Sequence, residues 1–339
     1  MGESLGAAIN ACGWVATEHA RAYLSNPHTR IVGVTSRTRA SAERLVAELG
    51  LDCRIYADYR DLLADDEVDI VSVTTPNHLH ARDAIAAAQA GKHICLEKPA
   101  GIAEDSLDAL GAAVAAAGVT SIMSFVLRWN QQVVNIKRLV ARGALGELFY
   151  CEADYWHGVG KVIRADRWIA KKAEAGSAML TGGCHAVDMA RNFMGEVATV
   201  TAHSHTNPAL GFEYDTATVC SVQYESGAIG KISAILEVVG PYQFNVTVMG
   251  SEGTAQGNRV FSRVLAPEQR DYFEIPCITP NSGDVAHHPF QQEIDHLVEC
   301  IQAGTDPVPD IADGIRTSRV CLAADRSAAN GGRPEAPNY

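Results

Sequence analysis

The stretch at residues 5–16, LGAAINACGWVA, decides the fold class of this chain. Its apolar run Leu5–Asn10 predicts a strand, and Thr17–Leu24 predicts the helix that follows. The turn between them has the pattern Ala-x-Gly-x-x-Ala, with glycine only at its middle position. Small residues there let backbone N–H groups approach a pyrophosphate at a helix N-terminus. An ordinary tight turn is the alternative, but the position favours dinucleotide binding, with these candidate contacts: Ala11, Cys12, Gly13, Trp14 and Val15.

Strand-like and helix-like segments alternate through the first third of the chain. Val68–Thr74 is a nearly continuous apolar run, as expected of a strand that is buried on both faces. The alternation predicts an α/β fold with a parallel, doubly wound sheet. Further strands are predicted at Arg30–Thr35 and His93–Leu96, and further helices at Ala40–Leu49, His80–Ala90 and Asp105–Ala117.

Two strand ends supply further candidate cofactor contacts. Thr35 is followed by Ser36 and Arg37, and no carboxylate comes before Glu43. A hydroxyl and a guanidinium suit the 2′-phosphate of NADP, whereas an acidic residue would favour NAD. We therefore expect NADP to be favoured over NAD. After the next long strand, the residues that can meet a ribose or nicotinamide are Thr74, Thr75, Pro76, Asn77 and His80. The alternative interpretation is that Asn77 is the N-cap of a helix.

Lys98 lies where a predicted strand ends. The predicted strand His93–Leu96 leads up to Glu97 and Lys98. Pro99 then ends the strand, because proline has no N–H to donate to a neighbouring strand. The carboxyl ends of the strands in an open parallel sheet form the ligand crevice, so a charged residue there is a candidate for chemistry. A solvated surface lysine is the alternative.

The pattern changes beyond about residue 122. A helix is predicted at Asn130–Arg142, and strand-like segments separated by turn signals follow it. These predict an antiparallel sheet with one face covered by helices, and an open face suited to subunit association. We therefore expect a nucleotide-binding domain at residues 1–122 and a substrate-binding and oligomerisation domain at residues 123–339. The predicted later elements are Leu148–Trp156, Val197–His205, Thr216–Tyr224, Ala228–Val238, Phe244–Met249, Phe290–Ala303 and Ile311–Asn330.

The composition excludes several classes of protein. The 339 residues carry a formal charge of −12, which disfavours nucleic acid and anionic membranes as partners. We find no segment typical of a membrane span or a signal peptide. The nine cysteines form no Cys-x-x-Cys pair and indicate free thiols in a cytoplasmic protein. No pattern of metal ligands is convincing, so we expect no metal.

Several motifs, in their order and spacing, together resemble the Gfo/Idh/MocA oxidoreductases over nearly the whole chain. The resemblance implies a Rossmann domain, a C-terminal α/β domain with a large, open, mainly antiparallel sheet, and a homodimer or homotetramer. It also implies a nicotinamide cofactor and a sugar, glycoside, cyclitol or related substrate. The motifs are Ala11-Cys12-Gly13, Thr75-Pro76-Asn77-His78-Leu79-His80, Glu97-Lys98-Pro99, Ala153-Asp154-Tyr155-Trp156-His157, Gly182-Gly183-Cys184-His185-Ala186-Val187-Asp188 and Gly250-Ser251-Glu252-Gly253-Thr254.

The resemblance also suggests roles for particular residues. Lys98 would lie beside the nicotinamide and the reacting carbon, Glu97 would touch the nicotinamide ribose, and His185 would face the substrate. Many members carry an aspartate four residues before that histidine, where this chain has Thr181. We therefore expect Lys98 to be the principal acid/base catalyst and His185 to assist it, with Asp188 as a group that orients His185 or caps its helix.

Polar and aromatic residues in the second half are candidates for the substrate wall, because they can stack on and hydrogen-bond a polyhydroxylated ring. Core packing is the alternative for the tryptophans, and simple solvation is the alternative for Arg164 and Arg167. The candidates are Arg128, Trp129, Asn130, Trp156, His157, Arg164, Asp166, Arg167 and Trp168, besides Thr181.

Three functions remain open from the sequence. The first is an NAD(P)-dependent dehydrogenase or reductase of a sugar-like alcohol or ketone. The second is a redox-neutral hydrolase or lyase that oxidises a sugar ring transiently and then reduces it again. Its support is Thr181, which stands where many members of the family have a carboxylate. The third is a non-catalytic dinucleotide-sensing scaffold, against which the presence of both Lys98 and His185 argues.

Overall fold

A computed structural model describes residues 4–158, 167–280 and 288–339. The chain divides into two compact units. The first unit consists of Met1–Phe125 together with Pro289–Ile315, and the second consists of Val126–His288 together with Arg316–Tyr339.

The first unit is built on a six-stranded parallel sheet, as the alternating pattern predicts. The strand order β3-β2-β1-β4-β5-β6 is that of a doubly wound sheet, and its ligand crevice lies at the carboxyl ends of the strands. The strands are β1 (Leu5–Asn10), β2 (Thr29–Thr35), β3 (Arg54–Tyr56), β4 (Ile70–Val73), β5 (His93–Leu96) and β6 (Ser121–Met123).

The helices of the first unit follow the predicted segments, with differences at their ends. Helix α1 begins at Trp14 instead of Thr17, because Gly13 is already its N-cap residue. The short β3 and α3 escaped the sequence patterns, since three to five residues show no usable periodicity. The helices are α1 (Trp14–Ser25), α2 (Arg39–Leu49), α3 (Tyr59–Leu63), α4 (His80–Gln89) and α5 (Glu104–Ala117).

The first unit also contains a segment that the sequence assigns to the second domain. Helix α9 (Phe290–Ala303) packs on α1, where Asn26 Nδ2 donates to Asp295 Oδ1 at 2.7 Å. Further along, the Met123 N–H donates to the carbonyl of Pro309 at 3.0 Å. These partners lie far apart in sequence, so no local pattern could show that they meet. Residues 289–315 therefore pack with the first compact unit.

The second unit is built on an eight-stranded sheet of order β14-β13-β12-β11-β7-β10-β9-β8. Its neighbouring strands run antiparallel except for β7 and β10, which confirms a mainly antiparallel sheet. The strands are β7 (Leu148–Trp156), β8 (Val197–His205), β9 (Ala217–Tyr224), β10 (Ile229–Ile235), β11 (Gln243–Gly250), β12 (Gly253–Gln256), β13 (Arg259–Ser262) and β14 (Phe273–Glu274).

Helix α8 covers one face of this sheet and contacts β7, β10 and β11. Buried and exposed residues alternate along β9, as expected when only one face of a strand packs on a core. The remaining helices are α6 (Gln131–Ala141), α7 (Lys172–Ala175), α8 (Cys184–Met194) and α10 (Ile311–Ala329). Over the part of the chain that the structure describes, none of the helices is both long enough and apolar enough to cross a membrane.

Candidate active site

The turn between β1 and α1 leaves room for a ligand. Gly13 has φ −79° and ψ −169°, and a Cβ placed on it would meet no atom of the described residues within 4 Å. Within that same part of the chain no side chain caps α1, so the first N–H groups of this 12-residue helix have no side-chain acceptor at the cap. The open turn and the uncapped helix fit the pyrophosphate of a dinucleotide.

Neighbouring strand ends hold this turn in place. The Cys12 N–H donates to Ser36 Oγ at 3.3 Å, and the Thr74 hydroxyl donates to the carbonyl of Ala11 at 2.7 Å. Ala11 itself has φ +80°, a left-handed conformation that costs a residue with a Cβ about 1–2 kcal/mol. The turn is therefore kept in a strained shape by contacts from the ends of β2 and β4.

We expect Gly13→Ala to separate ligand binding from folding. Because the backbone of Gly13 is accessible to any residue and its Cβ position is open, the free energy of unfolding should change by less than about 1 kcal/mol. The new methyl group would occupy the place of the pyrophosphate and raise the dinucleotide Kd about tenfold or more, which is a loss of at least about 1.4 kcal/mol.

Fluorescence titration with NADP⁺ and NAD⁺ measures this effect, alongside urea unfolding. Ala11→Gly is the matched control in the same turn, since it relieves the left-handed strain and should stabilise the fold while binding is retained. Wild-type affinity in Gly13→Ala would contradict this placement of the pyrophosphate.

The residues after β2 and β4 differ in how free they are to meet a ligand. Arg37 is exposed, and the buried Thr75 Oγ1 has no hydrogen-bond partner among the described residues. Asn77 is buried in a short 3₁₀ turn that begins after Pro76, and it is not the N-cap of α4. The Thr75 hydroxyl therefore fits a bound ligand better than a purely structural role.

His80 connects two loops by hydrogen bonds, and its buried ring is not open to a ligand. Its ring is 1% exposed, with Nδ1 at 2.7 Å from the carbonyl of Pro99 and Nε2 at 2.6 Å from the carbonyl of Thr75. Burial lowers its pKa, so the neutral ring donates to one carbonyl at a time. His80 thus ties the loop after β4 to the loop that carries Lys98.

Lys98 follows β5 on the same sheet edge as Gly13 and Thr75. The preceding residue, Glu97, is 6% exposed and accepts bonds from the Ser124 hydroxyl at 2.9 Å and from the Lys98 N–H at 3.2 Å. His19 Nε2 lies 3.1 Å from the same carboxylate. Burial opposes ionisation of Glu97, but the hydrogen bond and charge of His19, together with Lys98 and Ser124, lower its pKa to about 2. An anion therefore stands next to the lysine, and its carboxylate is bound within the protein rather than left open for a ribose.

In the second unit, His185 belongs to an imidazole–phenol cluster of Tyr155, His157, His185, Tyr242 and His288. The His185 ring is stacked on Tyr155, with centroids 5.8 Å apart and planes at 16°. The Tyr155 hydroxyl lies 3.2 Å from His157 Nδ1, and Tyr242 packs edge-on against both rings. Burial raises the pKa of both phenols, so both keep their protons.

Sequence reasoning named His157 and His185 but missed Tyr155 and Tyr242 as members of this cluster. One sequence signal could have indicated Tyr155. It lies on a predicted strand two positions before His157, residues two apart lie on the same face, and the two side chains do meet. Tyr242 comes from a distant segment and leaves no comparable local trace.

A π-helical turn, Met179–Gly183, precedes His185 and places it next to Tyr155. A Cβ on Gly182 would clash with the Tyr155 ring, and one on Gly183 would come within 2.8 Å of Ala234 Cβ. The two glycines therefore allow the turn to press against β7 and β10. Thr181 lies inside this turn, where its hydroxyl donates to the carbonyl of Ala175 at 3.3 Å.

Arg128 and Asp188 form a bidentate pair in the second unit. Arg128 Nε donates to Asp188 Oδ2 at 2.8 Å, and Nη2 donates to Oδ1 at 2.6 Å. Both oxygens of the buried Asp188 carboxylate thus accept hydrogen bonds from Arg128. This pairing gives Arg128 a structural partner, where the sequence suggests a substrate contact.

Trp156 does not join the cluster around His185. It follows Tyr155 on β7, and neighbouring residues of a strand point to opposite faces of the sheet. On its own face, the Trp156 indole N–H donates to Ser233 Oγ at 2.9 Å. The alternative interpretation of packing within the fold therefore describes Trp156 better than a place in the substrate wall.

Other candidates for the substrate wall occupy structural or peripheral positions. Asn130 is the N-cap of α6, where its side-chain oxygen accepts the Gln132 N–H at 3.0 Å. Trp168 begins a short 3₁₀ turn and is half-buried. Arg164 and Asp166 fall outside the described residues.

Comparison with known proteins agrees with this architecture. A model of the oxidoreductase family with an NAD-binding Rossmann fold matches residues 6–125, and a model of the GFO/IDH/MocA C-terminal domain matches residues 133–256. Together the fold and these matches define a nicotinamide-dependent oxidoreductase. The chain belongs to the Gfo/Idh/MocA family.

The relatives differ in their named substrates and cofactors. The scyllo-inositol 2-dehydrogenase (NAD(+)) of Bacillus subtilis is 24% identical, over 96% of this chain and 94% of its own length. The D-xylose 1-dehydrogenase (NADP(+)) 2 of Haloferax volcanii is 27% identical, over 89% and 90%. In fold, the chain is similar to a levoglucosan dehydrogenase solved with NADH and L-sorbose, with a TM-score of 0.90, 23% identity and 99% of both chains covered.

Proposed function

We propose that this protein transfers hydride between NADP, or less favourably NAD, and a secondary alcohol or ketone of a sugar, glycoside or cyclitol. The observation that carries the proposal is Lys98, which follows β5 at the sheet edge where Gly13 leaves an open turn. Relatives named as inositol and xylose dehydrogenases support the substrate class. A screen of monosaccharides, glycosides and cyclitols with both cofactors, followed by nicotinamide absorbance, tests it.

The protein's own part in the reaction is positioning and proton transfer. A bound nicotinamide supplies the hydride acceptor or donor. The open turn at Gly13 and the Thr75 hydroxyl hold the dinucleotide, and the Lys98 amine takes the proton of the reacting hydroxyl in oxidation and returns it in reduction. His185 hydrogen-bonds the oxygen atoms of the substrate, with its ring orientation fixed by the stack on Tyr155.

The proposed preference for NADP rests on Ser36 and Arg37. The Ser36 hydroxyl receives the Cys12 N–H and so lies at the turn, while Arg37 extends into solvent directly after it. Neither residue carries the negative charge that would repel a 2′-phosphate.

We expect Arg37→Ala to raise the Kd for NADP⁺ about 10- to 100-fold and to leave the Kd for NAD⁺ within about twofold, because a hydrogen bond to a charged group contributes about 1.5–3 kcal/mol. Arg39→Ala is the matched control, since its guanidinium already pairs with Glu43 at 2.8 Å. Titration of the three proteins with both dinucleotides measures the effect. Tighter binding of NAD⁺ by the wild type would reverse the assignment.

We further propose that the protein forms a homodimer or homotetramer through the uncovered face of the second sheet. Val219 and Ile229 support this, since they lie on neighbouring strands of that face and are 46% and 56% exposed. A cytoplasmic location is proposed from the cysteines, all nine of which are free thiols.

A further inference from the structure

A buried polar network lies behind Lys98 and joins helices α1 and α9 to β5. His19 on α1 is fully buried, with Nδ1 at 3.1 Å from Ser72 Oγ and Nε2 at 3.1 Å from Glu97 Oε1. Both nitrogens of the ring are therefore engaged. Because α1 begins at the open turn of Gly13, one rigid helix connects the dinucleotide turn to the residue that precedes Lys98.

Helix α9 brings a second carboxylate into the same network. Glu293 is 1% exposed, and its Oε1 lies 3.7 Å from the Cys95 thiol, which is also 3.7 Å from His19 Nδ1. Two deeply buried anions in one network would each raise the free-energy cost of ionising the other. Burial, followed by the negative charge of Glu97, raises the pKa of Glu293 well above its usual range. Of these two carboxyl groups, Glu97 is then the anion and Glu293 a neutral acid.

The other titratable groups do not change this division. Tyr23, on the α1 side, donates or accepts at Ser72 Oγ at 2.9 Å, and burial raises its pKa so that it stays neutral. Burial likewise raises the pKa of Cys95. His80, from the α4 side, is kept neutral because burial lowers its pKa. The positive charges that act on Glu97 are those of Lys98 and, when protonated, His19.

We propose that His19 and Glu293 are positioning residues for Lys98. His19 holds the Glu97 carboxylate in one orientation through its hydrogen bond, and Glu293 adds no second charge to the network, so that Glu97 is its anion. Glu97 in turn accepts the Lys98 N–H at 3.2 Å and sets both the backbone and the local charge at the lysine. The inference rests on the proposed function for its kinetic consequences, but the protonation of Glu293 does not depend on it.

The kinetic test compares His19→Gln, Glu293→Leu and Glu293→Gln. His19→Gln and Glu293→Leu should each lower kcat about 10- to 100-fold, because small displacements of a reacting group cost that much. In both variants, the limb of the pH–rate profile that reports Lys98 should move to lower pH. The reason is that a displaced Glu97 carboxylate stabilises the Lys98 ammonium less. Glu293→Gln, which keeps the shape and the neutral state, should recover most of the loss.

Asp295→Ala is the matched control, because it removes another bond between α1 and α9 without touching Glu97. It should lower stability but leave the pH–rate profile in place. A folded His19→Gln with the wild-type kcat and profile would overturn the proposal. So would a Glu293→Gln as impaired as Glu293→Leu, because Glu293 would then act as an anion.

Infrared spectroscopy of the ¹³C-glutamate-labelled protein gives a readout without substrate. The wild type should show a protonated carboxyl band at neutral pH that Glu293→Gln lacks. A wild type without that band overturns the assignment of charges, whatever its activity. A wild type that has the band but oxidises no substrate leaves the charge assignment standing and counts against the proposed function alone.

Discussion

Replacing Lys98 by methionine should lower kcat by about 10²- to 10⁴-fold, the usual contribution of a positioned acid or base. The methionine keeps most of the apolar stem but removes the amine that exchanges a proton with the reacting hydroxyl. The dinucleotide Kd should stay within about threefold of the wild type, because the turn at Gly13 and the hydroxyl of Thr75 are untouched. A threefold change in Kd is only about 0.7 kcal/mol.

Steady-state kinetics and dinucleotide titration of the same preparation separate these two effects. Lys92→Met provides the matched control, because the Lys92 amine donates to the carbonyl of Asp65 at 3.0 Å and the residue precedes β5, at the opposite end of the strand from Lys98. It should turn over like the wild type. Substantial turnover by Lys98→Met would remove Lys98 from the mechanism.

Replacing Asp188 by alanine should lower the free energy of unfolding by about 3–5 kcal/mol, the range measured when one member of a buried ion pair is removed. The substitution leaves the Arg128 guanidinium, whose side chain is 11% exposed, without the carboxylate that accepts two of its hydrogen bonds. Urea unfolding followed by tryptophan fluorescence measures the change through the midpoint at an unaltered m-value.

The exposed pair of Arg39 and Glu43 is the comparison, since its members are 71% and 53% exposed. Glu43→Ala should cost no more than about 1 kcal/mol. The double variant Arg128→Met/Asp188→Leu should recover much of the loss, because it removes both charges together. A loss below about 1 kcal/mol in Asp188→Ala would show that the bidentate pair is not a main support of α8.

Local patterns were enough to predict four of the six strands of the first sheet, β1, β2, β4 and β5, and the residues at its edge. The apolar run at β5 stops at Pro99, and the small residues after β1 mark a turn, so Gly13 and Lys98 follow from short-range chemistry. Residues 289–315 escaped because their partners are remote in sequence: Asp295 is 269 positions from Asn26 on the α1 side. A helical period does not say what a helix packs against.

The candidate site residues of the second unit were predicted less completely, for the same physical reason. His185 stands out in its motif, but the stack on Tyr155 depends on the close approach of Gly182, which only the folded turn reveals. Asp188 pairs with Arg128, 60 positions earlier, and that distance in sequence leaves no local pattern. Trp156 was grouped with the substrate wall by composition, while the alternation of β7 sends it to the other face.

The cofactor balance during turnover is the most direct test of hydride transfer by this protein. The purified protein is given NADP⁺ or NAD⁺ with a panel of sugars, glycosides and cyclitols, and nicotinamide absorbance is followed while substrate loss is measured by chromatography. A dehydrogenase should form one reduced nicotinamide for each substrate molecule oxidised, and both signals should be lost in Lys98→Met. Substrate consumed without net reduction of the cofactor would contradict this prediction and indicate redox-neutral chemistry; dinucleotide bound with no substrate consumed would indicate a scaffold.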